Sequence, residues 1–121
     1  MKNLLNRAIL CVCAFALWSS VAHAQDNRSA TYVTLANLVF YSAQDKIYPQ
    51  YAGTVSIELT SPITWVTPTG CATGVVEIRG TDVALISAAQ TALATGRPVE
   101  IFVDDSQTVD GVVCFVRALE Y

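Results

Sequence analysis

The sequence predicts a mainly β fold with one α-helix, five short strands curling into a small barrel in the order β-β-β-α-β-β. Three observations carry this. Residues 81–105, TDVALISAAQTALATGRPVEIFVDD, hold the one convincing helix, a sharp helix stop and the clearest buried strand. Short β-type runs bounded by Gly, Pro, Ser and Asp fill most of the remaining chain. The first of them, ATYVTLANLVFY over residues 30–41, is long and loses its alternation midway, as a bent strand serving two sheets does.

Residues 1–24 read as a secretory signal peptide. Lys2 and Arg7 supply the positive start, residues 8–18 form an apolar run, and Ala22-His23-Ala24 is a small-x-small cleavage site. The run is too short for a bilayer span, which needs about 20 apolar residues. Cys11 and Cys13 sit inside the run rather than after it, which argues against a lipoprotein. The chain is therefore expected to be secreted or periplasmic, cut near Ala24, leaving one domain over residues 25–121.

Removing the leader changes what chemistry the chain can do. The mature part keeps five basic and ten acidic residues, a net charge of −5. Nucleic acid is an unsuitable partner, because phosphate binding needs a basic patch. The cut also takes His23, the sole histidine, which excludes His-dependent triads and imidazole acid–base chemistry. Two cysteines remain, Cys71 and Cys114. An even pair in a small exported domain reads as a disulfide.

Residues 25–29 are polar and read as a loose end. In the first strand Val33 and Leu35 share one parity, whereas Leu38 and Phe40 belong to the other; a bulge near Ala36–Asn37 would turn all four to one core. Residues 42–50 form a loop exposing Asp45, Lys46 and Pro49. The second strand, 53–60, points Val55, Ile57 and Leu59 inward and Ser56 and Glu58 outward. Ser61-Pro62 breaks it, residues 63–66 form a short extended piece, and Pro68, Gly70 and Gly74 mark a turn-rich connection around Cys71. The third strand, 75–79, shows Val76 and Ile78 on one face.

The helix runs from Val83 to about Thr95. Thr81 is placed to cap it and Asp82 adds negative charge at the positive end of its dipole. Gly96 suits the left-handed residue that ends a helix, and Pro98 forbids continuation. Leu85, Ile86, Ala89, Ala92 and Leu93 make an apolar stripe. The fourth strand, 99–103, aligns Val99, Ile101 and Val103. Asp110-Gly111 is a tight-turn signal, with residues 104–107 widening the connection. The fifth strand, 112–119, is apolar on both parities and belongs in a central or interface position. One helix before the fourth strand and a bent first strand match an oligomer-binding (OB) barrel.

Three groups are candidate sites. The helix flank of Ala84, Ser87, Ala88, Gln90, Thr91 and Ala94 carries no charge, although a solvated face normally shows Lys or Glu. It reads either as an Ala-rich helix chosen for propensity or as a subunit contact in a homo-oligomer, with Ala84, Ser87, Ala88 and Thr91 as interface candidates. Tyr48, Tyr51 and Trp65 lie in or beside turns. They either pack the edge of a small core or stack on a glycan or anchor a companion protein. Trp65 best fits the structural role. Asp104, Asp105 and Asp110 lack the alternating oxygen ligands of a calcium loop and read as a solvated acidic turn. No zinc spacing, phosphate-cradling loop or nucleophile elbow is present. Neither a metal, a cofactor nor enzyme activity is expected.

The segment from Cys71 through AAQTALATGRPVEIFVDD to the strand containing Cys114 resembles a group of small secreted bacterial proteins. In these a Cys-containing third strand leads to a helix ending A-x-G-K/R-P-V, then to a strand and an acidic turn. More distantly, ATGRPVEIFV is similar to the helix–strand step in the B subunits of subtilase cytotoxin and pertussis-like toxins, OB-fold glycan-binding subunits that form pentamers. The resemblance covers roughly residues 70–121. Cys114 departs from it, lying inside the last strand rather than near the acidic turn. What the resemblance implies is an OB-like fold and a tendency to oligomerise, in a non-enzymatic module that binds a glycan or a partner protein. It assigns no binding residue. The alternative is a monomeric exported accessory domain.

Overall fold

In the computed structural model, residues 26–121 are described; the expected signal segment 1–24 and its cleavage site lie outside them. The elements are β1 (Asp26–Arg28), β2 (Leu35–Phe40), β3 (Thr54–Leu59), β4 (Val75–Arg79), α1 (Val83–Thr95), β5 (Glu100–Val109) and β6 (Val113–Glu120). The strands build one sheet in the order β1-β5-β6-β4-β3-β2, antiparallel except for the β4–β6 pair. The fold is thus mainly β with one helix, as expected, but it has six strands and the sheet does not close into a barrel. After β1 the chain bends at Ala30–Thr31, and the isolated Val33–Val99 bridge joins it to the residue before β5.

The sixth strand is β1, in residues that read from sequence as a loose end. Polarity misled that reading. Asn27 and Ser29 are 1% exposed and are buried because their polar atoms are satisfied. The Asn27 amide donates to the Thr67 carbonyl (2.9 Å), and its oxygen accepts from the Thr67 hydroxyl (2.8 Å). Ser29 Oγ accepts from the Ile101 N–H (3.0 Å). Residues 63–66 run alongside β1, with Ala30 N–H donating to Thr64 O and Val66 N–H to Arg28 O.

The bulge in β2 falls where the alternation breaks, with register shifting between Leu35 and Asn37. Val33 and Leu35 are buried and Leu38 packs against the core. Phe40 does not join them. It is 56% exposed, at the last position of a terminal strand, where the sheet has run out of neighbours to cover it. β6, apolar on both parities, sits between β5 and β4 as its composition required.

Helix α1 has the bounds the pattern sets. Gly96 is left-handed (φ 65°) and its N–H reaches the Ala92 and Leu93 carbonyls; the Arg97 N–H also bonds Ala92 O, at 3.1 Å. The N-terminus differs from expectation. Asp82, not Thr81, is the N-cap residue, and no side chain caps the helix; the Val83 N–H turns back to Thr81 O instead. Ala89 and Ala92 are fully buried, and Leu85, Ile86 and Leu93 pack against the core.

Cys71 and Cys114 are joined by the expected disulfide, with Cα atoms 5.4 Å apart. It ties the β3–β4 connection to β6, beside a hydrogen bond from Ala72 N–H to Val112 O. β5 is longer than the sequence indicated. It continues to Val109 by bulging out residues between Asp104 and Thr108, so Asp104 and Asp105 belong to a strand and not to a turn. Asp110 (φ 54°) and Gly111 (φ 75°) are the two left-handed residues of the three-residue connection into β6, closed by the Val112 N–H to Val109 O bond as in a primed turn.

Candidate functional site

The loop that leaves β2 is built to hold its shape. Tyr41 N–H bonds Thr54 O and Gly53 N–H bonds Ser42 O, which closes its neck. Within it Asp45 Oδ1 accepts from the N–H groups of Ile47 (2.8 Å) and Tyr48 (2.7 Å), a local turn device typical of Asp. Pro49–Tyr51 then form a single 3-10 turn. The result brings three tyrosines together. Tyr51 stacks on Tyr41 at 5.1 Å, and Tyr48 meets Tyr41 edge-on at 6.2 Å and 77°.

These rings stand over the outward face of β3 and β4. With Gln50, Ser56, Glu58, Val75 and Asp110 they line a cleft of about 450 Å³. Asp110 reaches it from the hairpin turn, hydrogen-bonded to the Tyr51 hydroxyl and contacted by the Gln50 amide at 3.4 Å. The Tyr51 phenol is pushed up to about 12, first by burial and then by its bond to Asp110 and the nearby negative charge of Asp110 and Glu77. No Lys or Arg lines the cleft.

Beneath the tyrosines lies the least expected group in the protein. Glu77, in the middle of β4, is 0% exposed and faces Ser56 across the β3–β4 ladder. Its partners are hydroxyls alone: Ser56 Oγ donates to Oε2 at 2.5 Å, and Thr54 Oγ1 contacts Oε1. The Thr54 oxygen also lies 2.6 Å from the Tyr51 carbonyl. One hydroxyl proton serves one acceptor, and a carbonyl cannot donate. Both contacts are satisfied together when Glu77 itself carries a proton. Burial raises the Glu77 carboxyl above its ordinary value in the same sense, the hydrogen bonds from Ser56 and Thr54 offsetting only part of the effect.

A measurable consequence follows. The folded chain holds the Glu77 proton more tightly than the unfolded one, so its contribution to stability is full below the ordinary Glu value of about 4.3. That contribution falls as pH rises through the elevated native value. A Glu77→Gln chain keeps both contacts, with Nε2 donating to Thr54 and Oε1 accepting from Ser56. It should match the parent at pH 4 and exceed it in stability at pH 8, read by urea unfolding at the two pH values. Equal stability of the two chains at both would mean that Glu77 does not titrate abnormally.

Of the sequence-predicted residues, Tyr48 and Tyr51 meet in the cleft and Trp65 does not. Trp65 is bridged to Ser29 beside β1 and packs against the core, the structural role that best suited it. Asp104 accepts from Ser106 N–H and Oγ within the β5 bulge, away from Asp110. Among the described residues no group of three or more His, Cys, Asp or Glu is arranged to hold a metal ion. None of the helices described is long and apolar enough to cross a membrane. On the helix flank Ala84, Ser87 and Thr91 are exposed, while Ala88 is partly covered by the chain itself: the Tyr121 hydroxyl donates to Ala88 O at 2.7 Å and the Arg97 guanidinium lies 4.9 Å over the Tyr121 ring.

A larger groove of about 770 Å³ opens between the start of α1 and the β5–β6 pair. Its charges are mixed, and Arg79 is already engaged by Gln107 and by the Phe115 ring. The tyrosine cleft is the better candidate, because perturbed titration and convergent polar groups meet there. Of its lining, Tyr41, Gln50, Ser56, Glu58 and Val75 escaped sequence reasoning as site residues, as did Glu77 beneath it. The available signal was the crowding of Tyr41, Tyr48 and Tyr51 into eleven residues, together with Thr54, Ser56 and Glu77 sharing the outward parity of adjacent strands. No protein-family model matches the chain, and neither a curated protein nor a solved structure matches it.

Proposed function

We propose that this chain is the binding module of an exported protein, non-enzymatic, with its tyrosine cleft receiving a glycan. The observation that carries the reading is the Tyr41–Tyr51 stack with Tyr48 at its edge, set on a loop whose own hydrogen bonds fix it beside Asp110, Glu58, Gln50 and Ser56. Phenol rings offer apolar faces to a sugar ring, and the polar groups around them accept and donate to its hydroxyls. A preformed loop lowers the ordering cost of binding. The resemblance of residues 70–121 to small secreted bacterial proteins, and the more distant similarity of residues 94–103 to toxin B subunits, support the same assignment. So does the β-β-β-α-β-β order, which we read as an opened OB-like barrel with an added N-terminal strand.

The same reading leaves the bare flank of Ala84, Ser87 and Thr91 for a second copy of the chain. Light scattering at micromolar concentration tests it, and a strict monomer removes the second copy while leaving the cleft. For the cleft, a glycan array probed with the oxidised domain should show selective retention. Tyr48→Ala, at a position already 53% exposed, should weaken the retained ligands about tenfold without lowering the unfolding midpoint. An array silent for a folded sample would overturn the glycan reading.

A further inference from the structure

We infer that the cleft selects ligands bearing a positively charged ammonium group. This rests on the cleft being a binding site and adds the chemical class of what enters it. The lining supplies two carboxylates, Glu58 and Asp110, and no basic side chain. Their partners are neutral: Asn37 Nδ2 approaches Glu58 at 3.5 Å, and Asp110 is held by the Tyr51 hydroxyl and the Gln50 amide. Neither charge is cancelled from within the cleft.

The rings supply the rest of the recognition. Tyr41 and Tyr48 stand at 77° to one another, with Tyr51 stacked on Tyr41, so two aromatic surfaces of different orientation border one space. The negative faces of phenol rings attract a cation, most strongly where water is partly displaced. Uncompensated carboxylates beside them add attraction of the same sign. An anionic sugar meets the opposite field and is rejected. A neutral one gains the stacking and loses the charge contribution. An amino sugar or a small quaternary ammonium compound gains both.

Matched probes of equal shape test this in calorimetric titrations of the oxidised domain. Choline is compared with 3,3-dimethyl-1-butanol, in which carbon replaces the charged nitrogen. A glucosamine tetramer, at a pH that keeps its amines protonated, is compared with its neutral N-acetylated counterpart. The charged member of at least one pair should bind about tenfold more tightly. Asp110→Asn and Glu58→Gln should each reduce the ratio of charged-member to neutral-member affinity several-fold, the ratio being the readout because both side chains also meet neutral hydroxyls. Both substitutions conserve shape, and Asn is suited to the left-handed turn position, so at least one variant stays folded. Preference for the tetramer alone names an amino sugar as the source; preference for choline alone names a small ammonium compound, and both uphold the inference. Equal affinity within each pair overturns it while the binding reading stands. No binding by any probe, charged or neutral, overturns the inference, and the binding reading is then decided by the glycan array.

Discussion

A chain in which Cys71 and Cys114 are both replaced by serine is expected to lose about 4 kcal/mol of stability. The magnitude comes from the sequence separation of 43 residues, which sets the entropy that the cross-link removes from the unfolded ensemble. The context makes the loss hard to absorb. Domains of this size hold roughly 5–15 kcal/mol in total, and both sulfurs are buried in the core. The segment they anchor is tied to β1 at residues 64–67, through Ala30 N–H to Thr64 O, Val66 N–H to Arg28 O and the Asn27–Thr67 bonds, but among the described residues its backbone is tied toward β6 only through Ala72 N–H to Val112 O. Urea titration of the double variant checks the expectation through a lowered midpoint, and the reduced parent chain should behave alike. A loss below about 1 kcal/mol would show that the loop is held chiefly by its packing.

The second large effect is expected at Gly80, in the turn from β4 into α1. A Cβ placed there would stand 2.1 Å from the Gly53 carbonyl oxygen. That neighbour is backbone and cannot rotate aside, so either the turn or the start of β3 must move, at a cost of up to about 3 kcal/mol. Gly53 is itself left-handed (φ 74°) and hydrogen-bonded to Ser42 O at the neck of the tyrosine loop. Gly80→Ala should therefore lower the melting temperature and also shift the amide resonances of residues 41–54. Gly70 and Gly74 have no atom within 4 Å of an added Cβ, and alanine there should change stability by no more than about 0.5 kcal/mol. If all three variants melt alike, the Gly53–Gly80 approach is not a constraint.

Features written into adjacent residues were the legible ones. The Gly96-Arg97-Pro98 stop fixed the end of α1, the parity break at Ala36–Asn37 located the bulge, and Asp110-Gly111 marked the hairpin. Two cysteines beyond the expected leader left one intramolecular pairing. What could not be read depends on partners distant in sequence. Asn27 is buried by Thr67, forty residues on, and Ser29 by Ile101, so a polar pentapeptide concealed a strand. Val33 and Val99, sixty-six residues apart, meet through one isolated bridge. Glu77 looked like the solvated member of an alternating strand, yet the Tyr51 turn and the hydroxyls of Thr54 and Ser56 close over it. Tyr48 and Tyr51 were legible as loop aromatics, but their company with Tyr41 and Asp110 required the folded loop.

Asp110 has two duties that rarely fall on one residue. Its backbone is a left-handed step ahead of Gly111, and its carboxylate borders the cleft. Asparagine meets the first duty as well as aspartate does but brings no charge to the second. The scaffold can thus exchange an acid for an amide at the rim without disturbing the hairpin that carries it. Under the proposed function, a change of guest needs no change of house, and this corner is the natural place for closely similar chains to diverge in what they capture.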